Sequence, residues 1–175
     1  MIDDKALHAL VRELKTRFAE DYVAAFSSRS PARVISFYKP DARVTFHQLG
    51  RSGARGRSFT VFTGSTLGAL LRRALPARLV LRLLFRQLAK RGYDHSVLSI
   101  VGVKRPESHP GPPSVEILLT FERIDRAGAI FESSAAVYRV EQHGSTWFIS
   151  EGWLFDSIAD APPSLGIDRF RGVAS

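Results

Sequence analysis

The chain contains no cysteine. That excludes a disulfide framework, a thiolate zinc site and a cysteine nucleophile, and it fits a reducing compartment. No apolar run approaches the roughly 20 residues that a membrane-spanning helix needs. The opening residues, Met1-Ile2-Asp3-Asp4-Lys5, lack the basic-then-apolar layout of a secretory signal. Acids are comparatively scarce: 17 Asp and Glu stand against 25 Lys and Arg, a formal charge of +8. Such a surplus favours acidic partners, whether nucleic acid, an anionic membrane or an acidic protein. The five histidines are scattered, with no helical pair or acidic neighbour at ligand spacing, so no metal site is expected. Gly50, Gly53 and Gly56 make a glycine-rich loop, but without the lysine and hydroxyl that end a phosphate-binding loop. No internal repeat is present.

What the chain does have is a long run of β pattern. Val115, Ile117, Leu119 and Phe121 alternate with Glu116, Leu118, Thr120 and Glu122 before a turn at Asp125-Arg126-Ala127-Gly128. Ile130 to Val140 and Trp147 to Phe155 follow, separated by Gln142-His143-Gly144-Ser145. Period-two alternation with glycine-containing turns predicts an antiparallel meander. Leu118, Ala135, Val137, Phe148 and Leu154 put carbon on its second face too. A sheet apolar on both faces needs covering twice.

Upstream, Asp3 or Asp4 caps an expected helix from Lys5 to about Phe26, with Leu7, Leu10, Val11, Leu14, Phe18, Tyr22 and Phe26 on one face. Ser30 and Pro31 open a short second helix that ends before Pro40. Asp41 to Phe46 reads as a strand, and 59–91 reads as helix in two pieces, broken at Pro76. Its second piece carries Arg78, Arg82, Arg86 and Lys90 every fourth residue, opposite Leu81, Leu84, Phe85 and Leu88. Tyr93 to Val103 is another strand, and 104–113 a proline-rich loop. One domain is expected over 1–156, with 59–91 as an extended basic helical region. Residues 157–175 are expected to form an extended, weakly held tail.

This order of helices, strand, helix and meander resembles the nuclear transport factor 2-like superfamily, an α+β cone whose curved sheet wraps a long first helix. The resemblance is carried by Phe18 to Phe26 with Tyr22, by Phe37-Tyr38-Lys39-Pro40-Asp41-Ala42-Arg43-Val44-Thr45-Phe46, and by Gly56. Asp94-His95-Ser96-Val97, Pro113-Ser114 and Trp147 to Phe155 look most like the nuclear transport and mRNA export small-subunit subgroup.

That resemblance implies a non-enzymatic adaptor without a cofactor. It would reside in the nucleus and at the nuclear pore, shuttle to the cytoplasm, and pair sheet to sheet with a larger cone-containing export receptor subunit or with itself. The contacts it implies are Phe131, Ser133, Ala135, Val137, Phe148, Ser150, Gly152 and Leu154, with Trp153 at the edge. Arg78, Arg82, Arg86 and Lys90 would then offer an RNA-binding surface, against the plainer reading of a solvated helix face. His47 near the rim, and Arg126-Ala127-Gly128 in place of an acidic hairpin, argue against binding of the GDP form of Ran. The same cone hosts isomerases, dehydratases and cyclases, so a homodimeric small-molecule enzyme is the alternative, as is a basic subunit of a ribonucleoprotein. Isomerase-type catalysis needs a carboxylate base and phenol or acid donors. Tyr22 supplies a phenol, but the base position falls on Phe46 and the second acid near Ser133 or Ser134. His47 is the remaining nearby proton acceptor. No catalytic residue is therefore assigned, and Tyr22, Phe46 and His47 are read as cavity residues.

Overall fold

The structure, a computed structural model, describes residues 4–48, 57–71, 74–105 and 111–172. Helix α1 (Asp4–Leu14), a π-helical stretch (Lys15–Tyr22) and α2 (Val23–Ser27) form one continuous rod, because the joints keep right-handed helical angles. Leu14, Phe18, Tyr22 and Phe26 recur every fourth residue on its buried side. An α-helix turns every 3.6 residues, so that spacing creeps around it. The wider i→i+5 turn of the middle stretch holds the stripe in line. Helix α3 (Pro31–Ile35) starts as its sequence indicates, with the Ser30 hydroxyl accepting from the Arg33 N–H at 3.4 Å.

Strands β1 (Tyr38–Gln48) and β2 (Arg57–Phe62) pair antiparallel. The second corrects the helical reading of 59–91. Phe59 and Val61 alternate with Ser58 and Thr60; Phe59 stacks on Phe46 at 4.8 Å, and Thr60 meets Thr45. A strand this short shows too few periods to be told from helix by pattern alone. After it come α4 (Thr66–Leu71), β3 (Leu75–Pro76) and α5 (Ala77–Lys90), with the break at Pro76 as expected. The glycine-rich loop at 49–56 lies outside the described residues.

Four long strands follow: β4 (Tyr93–Lys104), β5 (Ser114–Asp125), β6 (Ile130–His143) and β7 (Thr146–Phe155). With a terminal β8 (Arg171–Gly172) they complete one eight-stranded sheet in the order β3-β2-β1-β7-β6-β5-β4-β8. The fold is therefore the expected α+β cone, a curved, unclosed sheet around the N-terminal rod. Its inner core joins Leu14, Phe18 and Phe26 to Ile117, Leu119, Val140 and Ile149. Arg17 ties rod to sheet, its Nε donating to the Trp147 carbonyl at 3.1 Å and its guanidinium lying 4.0 Å over the Phe37 ring.

The second face of the sheet differs from expectation in two ways. First, its apolar half is covered by the chain itself. Residues 158–170 turn back in three short 3₁₀ turns, and Ile158, Ala161, Leu165, Ile167 and Phe170 pack over Leu118, Ala135, Val137 and Phe155. Ala135 and Val137 are 1% and 0% exposed beneath them. The tail is thus packed rather than weakly held. Lys104 clamps it, donating to the Leu165 carbonyl at 2.6 Å with its ammonium 4.8 Å from the Phe170 ring. Gly102 lets it lie close, since a Cβ there would stand 3.0 Å from Phe170 and 3.1 Å from the Arg171 carbonyl.

Second, β7 changes parity. The register slips between Arg139 and Val140, so Arg139 faces Glu151 and Val140 faces Ile149. One extra residue in a strand sends those beyond it to the opposite face. Gly152 and Leu154, expected beside Phe148 and Ser150, therefore point inward, while Trp153 and Phe155 point outward. The remaining outer face is a charged ladder. Glu116 bridges Lys104 at 2.9 Å and Arg139 at 2.7 Å, Arg139 reaches Glu151 at 2.5 Å, and Lys39 holds Glu141 at 2.7 Å.

Two stability predictions follow from that face. Leu165→Ala is expected to cost about 2–4 kcal/mol in urea unfolding, because it opens the roof over Val137. Lys39→Met is expected to cost about 1–3 kcal/mol near neutral pH, by stranding a buried carboxylate. Burial pushes the Glu141 carboxyl upward, but hydrogen bonds from Lys39, Ser150 and His143 outweigh it and hold the group below its ordinary 4.5. A depressed carboxyl stabilises above its unfolded value and loses that contribution as pH falls through the folded one. The difference between the two proteins, read from unfolding curves, is therefore expected to shrink below about pH 4.5.

Candidate functional site

The rod does not fill the cone. Between α3, α5, β1 and β2 lies a cavity of about 380 Å³, within the range of small-molecule sites. A deeper chamber of about 70 Å³ adjoins it and shares Tyr38, Phe46, Leu84, Arg123, Ser134 and Leu154 as lining. Most of the wall is carbon. Val34, Ile35, Val44, Val61, Val80 and Leu81 contribute, with the stacked Phe46 and Phe59 at one side. The sequence places apolar side chains at the inward positions of β1 and β2 and on the inner side of α5, so this lining follows from the periodicities already described.

Polar groups enter the wall at a few points. The Tyr22 and Tyr38 hydroxyls lie 3.0 Å apart. The Tyr138 ring closes the group, 6.5 Å from Tyr22 and 6.3 Å from Tyr38 between centroids. Burial raises the pKa of all three phenols, that of Tyr38 and Tyr138 well above 10.0, so each is a neutral O–H donor at ordinary pH. Gly152 makes room for them, because a Cβ there would stand 2.9 Å from the Tyr138 ring.

Arg123 is the cation of the chamber. Burial lowers the pKa of its guanidinium, while the nearby Tyr93, Tyr22 and Tyr138 pull the other way and Arg91 adds to the lowering. It pairs with Glu132 across the β5–β6 hairpin, and Arg91 holds the same carboxylate at 2.8 Å. Ser96 and Ser134 add hydroxyls, the former bonded to Tyr93 at 2.8 Å. Phe155, Asp156 and His47 also line the larger cavity. The His47 Nε2 is buried without a hydrogen-bond partner among the described residues. No cluster of three or more His, Cys, Asp or Glu fit to hold a metal occurs among the described residues.

Of the three residues read as cavity residues, Tyr22 lines the deeper chamber, His47 the larger cavity and Phe46 both. Arg78, Arg82, Arg86 and Lys90 are all exposed along α5. The nine proposed contact residues are divided instead. Ser133 is exposed, and Phe148 and Ser150 are half-buried on the outer face with Trp153. Ala135 and Val137 lie under the tail, Gly152 and Leu154 turn inward, and Phe131 packs against the inner core beside Arg91. Sequence reasoning missed Tyr38, Tyr138, Arg123 and Glu132. One signal was present: Leu119, Phe121 and Arg123 continue a single inward alternation, and a cation in a core register marks a lined cavity.

Gly152→Val is expected to force Tyr138 out of place and to cost about 1–3 kcal/mol in urea unfolding, the usual effect of overfilling a packed wall.

No protein-family model matches the chain, and no curated protein matches it. Solved structures do. A Novosphingobium aromaticivorans protein assigned as the β subunit of an aromatic-ring-hydroxylating dioxygenase superposes with a TM-score of 0.52 at 10% identity, over 86% of this chain and 92% of that one. A Nostoc punctiforme protein of unknown function with a cystatin-like fold gives 0.51 at 11% identity, over 86% and 91%. At such identities the likeness is one of fold alone, an α+β architecture with a curved, unclosed sheet and an N-terminal helix.

Proposed function

We propose that the chain is a small-molecule enzyme of the isomerase, dehydratase or cyclase type, acting on a largely apolar substrate that carries a carbonyl or enol oxygen. The observation behind this reading is the group of neutral phenols, Tyr22, Tyr38 and Tyr138, placed with Arg123 at the end of an apolar cavity. Donors held away from water stabilise negative charge developing on a substrate oxygen without having to reorganise. Glu132 is engaged by two guanidinium groups, Arg91 and Arg123. The His47 Nε2, without a hydrogen-bond partner among the described residues, is the group on the cavity wall assigned to move a proton.

The adaptor reading started from an outer face that needed a second cone. Residues 158–170 supply that cover, which withdraws the reason for the larger partner. Nuclear residence and mRNA carriage rest on the subgroup resemblance alone and form no part of this proposal.

β-Naphthol, whose ring and phenolate imitate an apolar enolate, tests the site through its fluorescence. It is expected to bind the full chain, and Tyr38→Phe to weaken it about five- to tenfold, the worth of one hydrogen bond of ~1–1.5 kcal/mol. Absence of binding, or equal binding by Tyr38→Phe and by Arg123→Gln, overturns the proposal.

A further inference from the structure

The span 42–93 holds eleven of the 25 basic residues and none of the 17 acids. The rest of the chain carries fourteen bases against those 17 acids, so the whole positive surplus belongs to this one span. Within it, α5 presents Arg78, Arg82, Arg86 and Lys90 to solvent. It also presents leucines: Leu79 is 51% and Leu83 49% exposed, and Leu75, just before the helix, is 46% exposed. At 3.6 residues per turn, Leu79 and Leu83 fall on the border between the cation row and the side facing the cavity. Leu75 and Leu83 themselves line the cavity. Exposed leucines continue onto α4, which packs beside β3, with Leu70 65% and Leu71 78% exposed.

We infer that α4, Leu75 and α5 form a docking surface for an anionic lipid bilayer, with the cavity mouth opening into it. Contiguous exposed leucines beside a row of long cations match the boundary between acyl chains and headgroups: carbon enters, and arginine and lysine stems reach out to the phosphates. Charge separates this occupant from others. A second copy of the chain would set the acid-free cation row of one protomer against the same row of its partner, because a two-fold interface repeats its own surface. Nucleic acid would satisfy the cations but leave Leu75, Leu79 and Leu83 in water, and the exposed part of α5 offers no aromatic ring for base stacking. A bilayer satisfies both. It also delivers an apolar ligand directly to the mouth; that route rests on the small-molecule reading above, whereas the docking does not.

Sedimentation of the full chain with phosphatidylcholine vesicles, with and without phosphatidylserine, tests the inference. Retention is expected only with phosphatidylserine and is expected to fall with added salt. Leu79→Ser with Leu83→Ser leaves the charge unchanged and is expected to lower retention at least about tenfold, with the circular dichroism unaltered. Should that variant misfold, Arg78→Glu with Arg82→Glu, at exposed positions, is expected to abolish the phosphatidylserine preference. Retention indifferent to both pairs overturns the inference. So does single-stranded RNA bound equally well by the leucine variant, or a dimer in sizing runs that the leucine variant dissolves. Tyr38→Phe is expected to leave vesicle retention unchanged, and Arg78→Glu with Arg82→Glu, at positions outside the cavity wall, to keep the β-naphthol affinity, so the surface and the cavity fail separately.

Discussion

A sheet with carbon on both faces cannot stand in water, and everything else in this molecule answers that constraint. The inner face is met by the helical rod, whose four-residue stripe is kept straight by a π-helical middle. The outer face is met twice over. Its apolar half lies under residues 158–170, and its other half is a ladder of ion pairs linking Lys104, Glu116, Arg139 and Glu151. Lys104 joins the two devices, since one ammonium holds both Glu116 and the returning tail.

The cavity is what this solution leaves behind. The rod packs along the meander, while α5 and β1 close only part of the remaining space. Tyr22, at the end of the widened helical stretch, reaches the Tyr38 and Tyr138 phenols there. Burial keeps those phenols protonated and makes Arg123 dependent on Glu132 for a partner. The chamber therefore combines low dielectric with fixed donors, which is the setting in which hydrogen bonds to an incipient oxyanion count most. Meanwhile the same helix that walls the cavity turns leucine and arginine outward, so cavity and outer surface share one element.

Much of this was legible from residue order. Alternation located all three strands of the meander, Ser30-Pro31 marked a helix start, and Pro76 marked a break. Tyr22, Phe46 and His47, read as cavity residues, lie along the walls of the two adjoining chambers. What failed was short or long-range. β2 offers too few alternations to declare itself, and only pairing with β1 makes it a strand. Glu132 was invisible because its role comes from facing Arg123 across a hairpin register.

Local pattern, then, determined the rod, the meander and the cation row, because helix and strand periods and turn residues act over a few neighbours. Tertiary structure alone decided what those elements meet. One bulge at Ser150 reversed the faces of Gly152 and Leu154, since side-chain parity in a strand depends on every residue before it. The tail became a roof because its few apolar residues found Leu118 and Val137 waiting, a match between distant stretches that no local period encodes.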